Sequence, residues 1–230
     1  MTTVYIISAP SGSGKSTLVD KAREIIPGLD FSISYTTRPP RGTEENGREY
    51  FFVPRSQFED MVRKDEFLEH ADVFGHCYGT AKHVLRQAEQ SGHDLLLDID
   101  VQGAEQIKRK LPQAVSIFIM PPDRKVLEAR LRKRSLDAEE VIQRRLVTAS
   151  REIENYEKYD YILVNDRLDE SIAALTAILL AERLKRSGIP GSADDVETVA
   201  RAERCRLSNI GERLQPILAS FATAATSGGR

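Results

Sequence analysis

Short apolar stretches alternate along this chain with longer segments of helical spacing. The apolar stretches predict strands at Val4–Ser8, Asp94–Asp100, Ser116–Met120 and Tyr161–Val164. The segments that follow them predict helices to about Ile26 and over Val101–Lys110, Arg124–Arg134 (with Asp123 as N-cap) and Leu168–Arg186. Continuous apolar strands between helices are typical of a parallel sheet that is buried on both faces. The pattern therefore predicts a three-layer α/β fold, whose ligands lie at the carboxyl ends of the strands.

One segment, residues 32–80, departs from this rhythm. It carries short alternating stretches at 32–37 and 49–53, separated by turn residues such as Pro39-Pro40 and Asn46-Gly47. The run from Ser56 to Glu59 has the form of a capping box that opens a short helix. We interpret the segment as a small, partly antiparallel α+β insertion rather than another parallel unit.

Two further segments lie outside the strand–helix alternation. Residues 130–145 are rich in arginine, and Asp137 is predicted to cap a long helix that runs through Lys158. The tail, 187–230, has glycine and serine at both ends, and its middle has helical spacing but little strong core. We expect a weakly ordered extension whose removal after Arg186 leaves a soluble, active protein; a helix for oligomerisation or for a partner is the alternative.

Composition limits the classes of function. The 230 residues include 33 Lys and Arg against 35 Asp and Glu, a net charge of -2. This balance argues against a general binder of nucleic acid or membrane surfaces. The first strand begins within a few residues of the start, which leaves no room for a signal peptide. Cys77 and Cys205 have neither metal nor disulfide spacing, so we expect reduced thiols in a cytoplasmic protein.

The loop after the first strand carries the strongest chemical signal. It reads Ala9, Pro10, Ser11, Gly12, Ser13, Gly14, Lys15, Ser16, Thr17. Strand, glycine-rich loop and helix follow in the order that a phosphate-binding P-loop needs. Lys15 would reach the β- and γ-phosphates, and the hydroxyl of Ser16 or Thr17 would bind Mg²⁺. Ala9 stands where the strict motif has glycine, but the flanking elements argue against an ordinary turn.

A second group of basic and aromatic residues lies in the insertion. Arg38 and Arg41 flank the stiff Pro39-Pro40 turn, with Tyr50 and Tyr78 elsewhere in the same segment. Two guanidiniums in one loop suit a second phosphate dianion. A solvated basic turn is the alternative that spacing alone leaves open.

The chain resembles the guanylate kinases of the nucleoside monophosphate kinase superfamily, bacterial members in particular. The matching stretches are 8–17, 32–41, 47–52, 67–69, 73–75, 78–80, 97–103, 117–122 and 159–166. Together they cover roughly residues 3–186. The resemblance implies transfer of the γ-phosphoryl group from ATP to GMP with Mg²⁺, in a P-loop core that carries a GMP-binding insertion and a helical lid.

The resemblance also assigns roles in the acceptor site. Arg38, Arg41, Tyr50 and Tyr78 would hold the GMP phosphate, and Ser34, Glu69, Thr80 and Asp100 would bind guanine. The chemistry agrees, since a carboxylate can accept from the adjacent N1–H and N2–H₂ donors of guanine, and hydroxyls can satisfy O6. Adenine would leave buried polar groups unpaired, which such a site rejects strongly.

On the donor side the resemblance implies four groups of residues. Lys15 would bind the ATP phosphates, and Arg130, Arg134 and Arg145 would close over them as a lid. Asp98 and Asp100, at the end of an apolar strand, would position Mg²⁺ together with Ser16. Asn165, after the last core strand, is expected near the ATP base. Family members have glycine where Ser135 follows Arg134, so a hinge-like position of the lid differs in this chain.

These assignments divide the chain by function. They predict an ATP-binding core at 1–31, 81–129 and 146–186, a GMP-binding insertion at 32–80, a lid at 130–145 and an extension at 187–230. A non-catalytic binding module of this family would lack the P-loop lysine. A relative acting on a ribose phosphate would lack Ser34, Glu69 and Thr80. The oligomeric state and the choice between GMP and dGMP stay open.

The P-loop assignment makes a direct prediction. K15A should abolish phosphoryl transfer because Lys15 supplies the charge that holds the donor phosphates, while the fold stays intact. Turnover with ATP and GMP, together with circular dichroism of the variant, measures this. Retained turnover would contradict the assignment.

Overall fold

The structure is a computed structural model, and it describes residues 2–73, 75–134, 138–188 and 192–222. Its strands are β1 (Val4–Ser8), β2 (Leu29–Ser32), β3 (Tyr35–Thr36), β4 (Phe51–Phe52), β5 (Phe67–Val73), β6 (His76–Ala81), β7 (Asp94–Asp98), β8 (Val115–Met120) and β9 (Tyr161–Val164). Its α-helices are α1 (Lys15–Ile25), α2 (Arg55–Arg63), α3 (Lys82–Ser91), α4 (Val101–Lys110), α5 (Arg124–Arg134), α6 (Glu139–Ile153), α7 (Leu168–Ser187), α8 (Ala193–Glu203) and α9 (Gly211–Ala222).

The main sheet has five strands in the order β2-β7-β1-β8-β9. Strand β2 pairs in parallel with β7, and β8 pairs in parallel with β9. Every residue of β1, β8 and β9 is buried. Buried apolar strands of this kind have both faces covered, so polar chemistry can lie only where the strands end. The α/β fold with a parallel sheet is therefore confirmed.

The chain divides into two compact units. The first comprises 1–6 and 27–115, and the second comprises 7–26 and 116–230. The first unit contains the second sheet, in the order β4-β3-β6-β5. Within it β6 runs antiparallel to β3 and β5, and β3 and β4 are parallel. The small sheet is thus partly antiparallel, as the turn-rich sequence indicates.

The ends of several elements differ from the sequence-based expectations. Helix α2 begins at Arg55 with Pro54 as its N-cap and no side-chain cap, so the expected capping box at Ser56 is wrong. The long helix expected to reach Lys158 ends at Ile153, and a separate 3-10 turn follows at Tyr156–Lys158. The expected cap at Asp137 lies outside the described residues. Asp123 does cap α5, since its Oδ1 accepts from the Val126 N–H at 2.7 Å.

The C-terminal extension is ordered and packed over 192–222, contrary to the expectation from composition. Its buried apolar side chains are Ala202, Ile210, Leu214, Ile217 and Phe221. Helix α8 packs against α7, and α9 packs against α5 and α6. A sequence with only short apolar runs leads to too low an expectation of burial when each run packs against a surface that distant elements supply.

The extension also covers the edge strand of the main sheet. The Ile162 N–H donates to the Cys205 carbonyl at 2.8 Å, and the Leu207 N–H donates to the Asp160 carbonyl at 3.1 Å. Between them, the Arg206 guanidinium lies 4.5 Å from the centroid of the Tyr161 ring. These bonds satisfy two of the backbone groups that an open edge would expose.

We therefore expect the extension to stabilise the second unit, and truncation after Arg186 to destabilise it. L214A removes a side chain that is 1% exposed and should lower the free energy of unfolding by about 2–5 kcal/mol. V196A, at a side chain that is 67% exposed in the same extension, is the matched control and should change it by less than about 0.5 kcal/mol. Urea unfolding measures both, and equal stability of the two variants would contradict the packing.

Candidate active site

The P-loop connects β1 to α1 in the second unit with two glycines in left-handed conformation. Gly12 has φ of 90° and Gly14 has φ of 87°, values that side-chain-bearing residues rarely adopt. The Ser13 N–H donates to the Pro10 carbonyl at 3.1 Å and closes the turn. Gly14 is the N-cap of α1, so the positive end of that helix lies at the loop. Turned backbone N–H groups at a helix N-terminus form an anion site.

Both glycines are also in close contact with other elements of the second unit. A Cβ built on Gly12 would lie 2.9 Å from Cδ2 of Leu131, and one built on Gly14 would lie 2.4 Å from Nδ2 of Asn165. Helix α5 and the residue after β9 therefore press against the loop. Asn165 is buried, and its Nδ2 donates to the Ser13 carbonyl at 2.7 Å.

The other residues expected on the donor side have different surroundings. Lys15 is half-buried, and Ser16 is exposed at the start of α1. Arg130 is partly buried, and its Nη2 donates to the Asn165 carbonyl at 3.0 Å. Arg145 is half-buried on α6, whereas the side chain of Arg134 and residue Ser135 lie outside the described residues.

The residues expected at the acceptor site lie in the first unit, and the segment 32–38 turns polar side chains inward. Burial alternates from 32 to 38, and the buried members are Ser32, Ser34, Thr36 and Arg38. An inward face is normally apolar, because an unpaired buried polar group costs free energy. Four polar residues buried at alternate positions of one short segment are therefore candidates for a binding site.

Arg38 is held in a fixed orientation by groups of its own loop. It is 6% exposed, and its Nη1 and Nη2 lie 2.9 and 3.0 Å from the two carboxylate oxygens of Glu44. Its guanidinium also lies 5.4 Å from the centroid of the Tyr50 ring. Arg41 is exposed, and its backbone N–H donates to Glu44 at 2.8 Å. The sequence reasoning missed Glu44, although a carboxylate three residues after Arg41 in the same turn was an available signal.

The two tyrosines expected at the acceptor phosphate contact each other. The ring centroids of Tyr50 and Tyr78 are 5.9 Å apart in an edge-on arrangement. Burial raises the pKa of Tyr50, so its hydroxyl keeps its proton and can donate to a phosphate oxygen. The structure therefore brings Arg38, Tyr50 and Tyr78 together and leaves the side chain of Arg41 at the surface.

Glu69 is the most unusual of the expected guanine-binding residues. It is 3% exposed on β5, and Thr80 lies opposite it on β6. A Cβ built on Gly103 of α4 would lie 2.6 Å from Oε2 of Glu69, so only glycine admits the carboxylate there. Burial raises the pKa of Glu69 from 4.5 to about 7; Asp100 raises it too, and Thr80 lowers it. A buried carboxylate with a raised pKa is typical of a functional site.

Asp100 joins the same group through the start of α4. It is the N-cap of that helix, where its Oδ1 accepts from the Gly103 N–H at 2.9 Å. Its Oδ2 accepts from the Gln102 side chain at 3.1 Å. Asp98, which ends β7, is half-buried. Within the described ranges, no group of three or more His, Cys, Asp or Glu side chains is arranged to hold a metal ion.

Comparison with known proteins agrees with this geometry. The guanylate kinase family model matches residues 1–182. A guanylate kinase of Koribacter versatilis is 59% identical over 96% of this chain and 97% of its own length. One from Escherichia coli K12 is 48% identical over 80% of this chain and 90% of its own. The crystal structure of a guanylate kinase from Anaplasma phagocytophilum matches 80% of this chain and 87% of its own, with a TM-score of 0.66 and 34% identity.

The P-loop, the parallel sheet and the polar inner face of the insertion define a P-loop nucleotide kinase. The chain belongs to the guanylate kinase family. The activity expected from the sequence, ATP:GMP phosphotransferase, is thereby confirmed. The E. coli match leaves a fifth of this chain uncovered, whereas the Koribacter match includes most of the extension.

One negative finding concerns membranes. In the parts of the chain that the structure describes, no helix combines the length and the apolar character required to cross a bilayer.

The buried Glu69 predicts a pH dependence of GMP binding. A protonated carboxyl cannot accept from both guanine donors, so the affinity for GMP should fall as the pH drops below about 7. Calorimetric titration with GMP between about pH 6 and pH 8.5 measures this. E69Q should bind GMP far more weakly and leave ATP binding unchanged. It should also lose the titration near pH 7, which would assign this titration to Glu69 and not to the phosphate of GMP.

The same shift sets a stability effect of opposite sign. Because the folded-state pKa of about 7 exceeds the ordinary 4.5, ionisation disfavours the fold, and stability falls as the pH rises between these values. E69Q should therefore be more stable than the parent at pH 8, by up to about 3 kcal/mol. A variant that is less stable at pH 8, or that weakens GMP and ATP equally, would contradict this role.

Proposed function

We propose that this guanylate kinase transfers the γ-phosphoryl group of Mg²⁺-bound ATP to GMP and also to dGMP, by means of the residues expected from the sequence. The single observation that carries the proposal is the buried carboxylate of Glu69 against Gly103. That carboxylate matches the two adjacent donors on the edge of guanine. No residue that we assign reads the ribose 2′-hydroxyl, so both sugars are accepted.

In the acceptor site, one set of residues binds the phosphate of GMP and another binds its base. Arg38, Arg41, Tyr50 and Tyr78 bind the phosphate of GMP, with Arg38 held in place by Glu44. Ser34, Glu69, Thr80 and Asp100 bind the base. The fixed guanidinium supports this division, because an arginine that is already oriented loses little side-chain entropy when phosphate binds.

In the donor site, the P-loop residues 9–17 bind the triphosphate, with Lys15 on its terminal phosphates. Ser16 and Asp98 are the residues that would hold Mg²⁺, since a hydroxyl and a carboxylate are the hard oxygen ligands that this ion prefers. Asp100, whose oxygens accept from Gly103 and Gln102, would help to position the ion while it faces the acceptor nucleotide. When bound, Mg²⁺ neutralises charge on the phosphates.

The chemistry needs positioning and positive charge rather than a general base, because the accepting phosphate is already anionic. Arg130, Arg134 and Arg145 supply further positive charge from the predicted lid at 130–145. Closure of the lid and of the insertion at 32–80 excludes water, which would otherwise hydrolyse ATP. The ATP-binding core comprises 1–31, 81–129 and 146–186. We place the enzyme in the cytoplasm.

The test is a coupled assay of ADP release with GMP, dGMP, AMP or ribose 5-phosphate as acceptor, with and without Mg²⁺. Fast turnover with GMP and dGMP alone, abolished by EDTA and restored by Mg²⁺, is the expected result. Turnover with AMP or with the ribose phosphate would contradict the assignment of Glu69, Ser34 and Thr80.

A pair of arginine variants tests the phosphate site. R38A should raise KM for GMP and lower kcat by at least about tenfold, because it removes a charge-assisted contact to phosphate. R48A is the matched control, since Arg48 is an exposed arginine of the same insertion with its own ion pair to Glu49. Equal effects of the two variants would remove Arg38 from the site.

A further inference from the structure

Asn165 connects three elements of the second unit. It is 5% exposed, and its backbone N–H donates to the Met120 carbonyl at 2.8 Å. Its carbonyl accepts from Nη2 of Arg130 at 3.0 Å, and its side-chain amide donates to the Ser13 carbonyl at 2.7 Å. Three hydrogen bonds therefore fix this residue to the end of β8, to α5 and to the P-loop.

The bond to Ser13 acts on the peptide unit that precedes Gly14. In a trans peptide, the C=O and the following N–H point in opposite directions. Because Asn165 holds the Ser13 carbonyl on its own side, the Gly14 N–H is directed away from Asn165. An N–H in this position can donate to a phosphate oxygen in the cradle of the loop.

Glycine at position 14 makes that orientation both accessible and easy to lose. Its φ of 87° requires a residue without a Cβ. The same freedom allows the Ser13–Gly14 peptide to rotate and present its carbonyl oxygen, instead of an N–H, to an incoming phosphate. On the other glycine of the loop, Leu127 and Leu131 of α5 pack against Gly12 and limit its movement. At Gly14 the contact comes from the amide of Asn165.

We infer that Asn165 is a positioning residue for phosphoryl transfer, which holds the Ser13–Gly14 peptide so that its N–H faces the ATP phosphates. The inference rests on the proposed function in taking the P-loop as the site of those phosphates. The sequence predicts Asn165 near the ATP base. We instead infer a role toward the triphosphate, because the side-chain amide of Asn165 already donates to the P-loop.

Binding of Mg²⁺-tripolyphosphate, which has no base, separates the two roles. N165A should weaken the binding of tripolyphosphate and of ATP by the same factor, about tenfold to a hundredfold, since the Ser13 carbonyl loses its buried donor. In turnover, kcat should fall while KM for GMP is unchanged, a split that a general loss of structure would not give. Titration calorimetry and steady-state kinetics measure these quantities.

The control is N155A, which removes a similar bond elsewhere in the same unit. The Asn155 side-chain amide donates to the Arg151 carbonyl at 3.0 Å on an exposed surface. N155A should leave tripolyphosphate binding and kcat unchanged. If N165A does not fold, N165L carries the test, because leucine is branched at Cγ like asparagine but has no amide donor.

Two results would overturn the inference. One is an N165A or N165L variant that binds tripolyphosphate as the parent does but binds ATP more weakly, or that loses the preference for ATP over GTP; this would place Asn165 at the base. The other is unchanged binding of both ligands. Failure of the proposed function would look different from failure of this inference. A parent protein that binds tripolyphosphate but does not phosphorylate GMP would contradict the proposed function, and its tripolyphosphate binding could still be compared with that of N165A.

Discussion

Burial of the parallel sheet on both faces is the constraint on which the rest of this structure depends. Strands β1, β8 and β9 have no exposed residue, so their polar neighbours lie beyond the strand ends. The P-loop follows β1, and Asn165 follows β9. Since an unpaired polar group within the sheet would be costly, the candidate site residues begin where these buried strands end.

The insertion differs from the main sheet, because several of its buried side chains are polar. The inner face at 32–38 is polar, and Glu69 is an almost fully buried carboxylate. Thr80 lowers its pKa while burial and Asp100 raise it, so the ionised form is only partly compensated without a ligand. Burial of Glu69 therefore costs stability at neutral pH, and a cost of this kind is common where a residue is kept for function.

Rigidity in the second unit comes from both ends of the chain. Glycines give the P-loop its conformation, and the side chains of α5 and Asn165 restrict it. The extension bonds to β9, the strand that carries Asn165, through Cys205 and Leu207. The extension, which the composition predicts to be weakly ordered, thus bonds to the strand that precedes Asn165.

Much of the molecule could be predicted because its signals are local. The apolar runs of the strands, the glycines and lysine of the P-loop, and the turns of the insertion are each encoded within about ten residues, as periodicity and turn chemistry are. The resemblance that joined these stretches gave the enzyme family and its substrates. Errors fell at helix ends, such as Ser56 and Lys158, where tertiary packing decides how far a pattern continues.

The sequence by itself determined the fold class, the phosphate loop and the family. Only the tertiary structure decided which partners complete the sites. Asn165 meets Ser13 across 152 positions of the chain, and Gly103 meets Glu69 through the packing of α4 on β5. The packing of 192–222 was equally invisible, because its apolar residues become a core only against α5, α6 and α7. Contacts between distant segments leave no local pattern, since they arise from the three-dimensional meeting of surfaces.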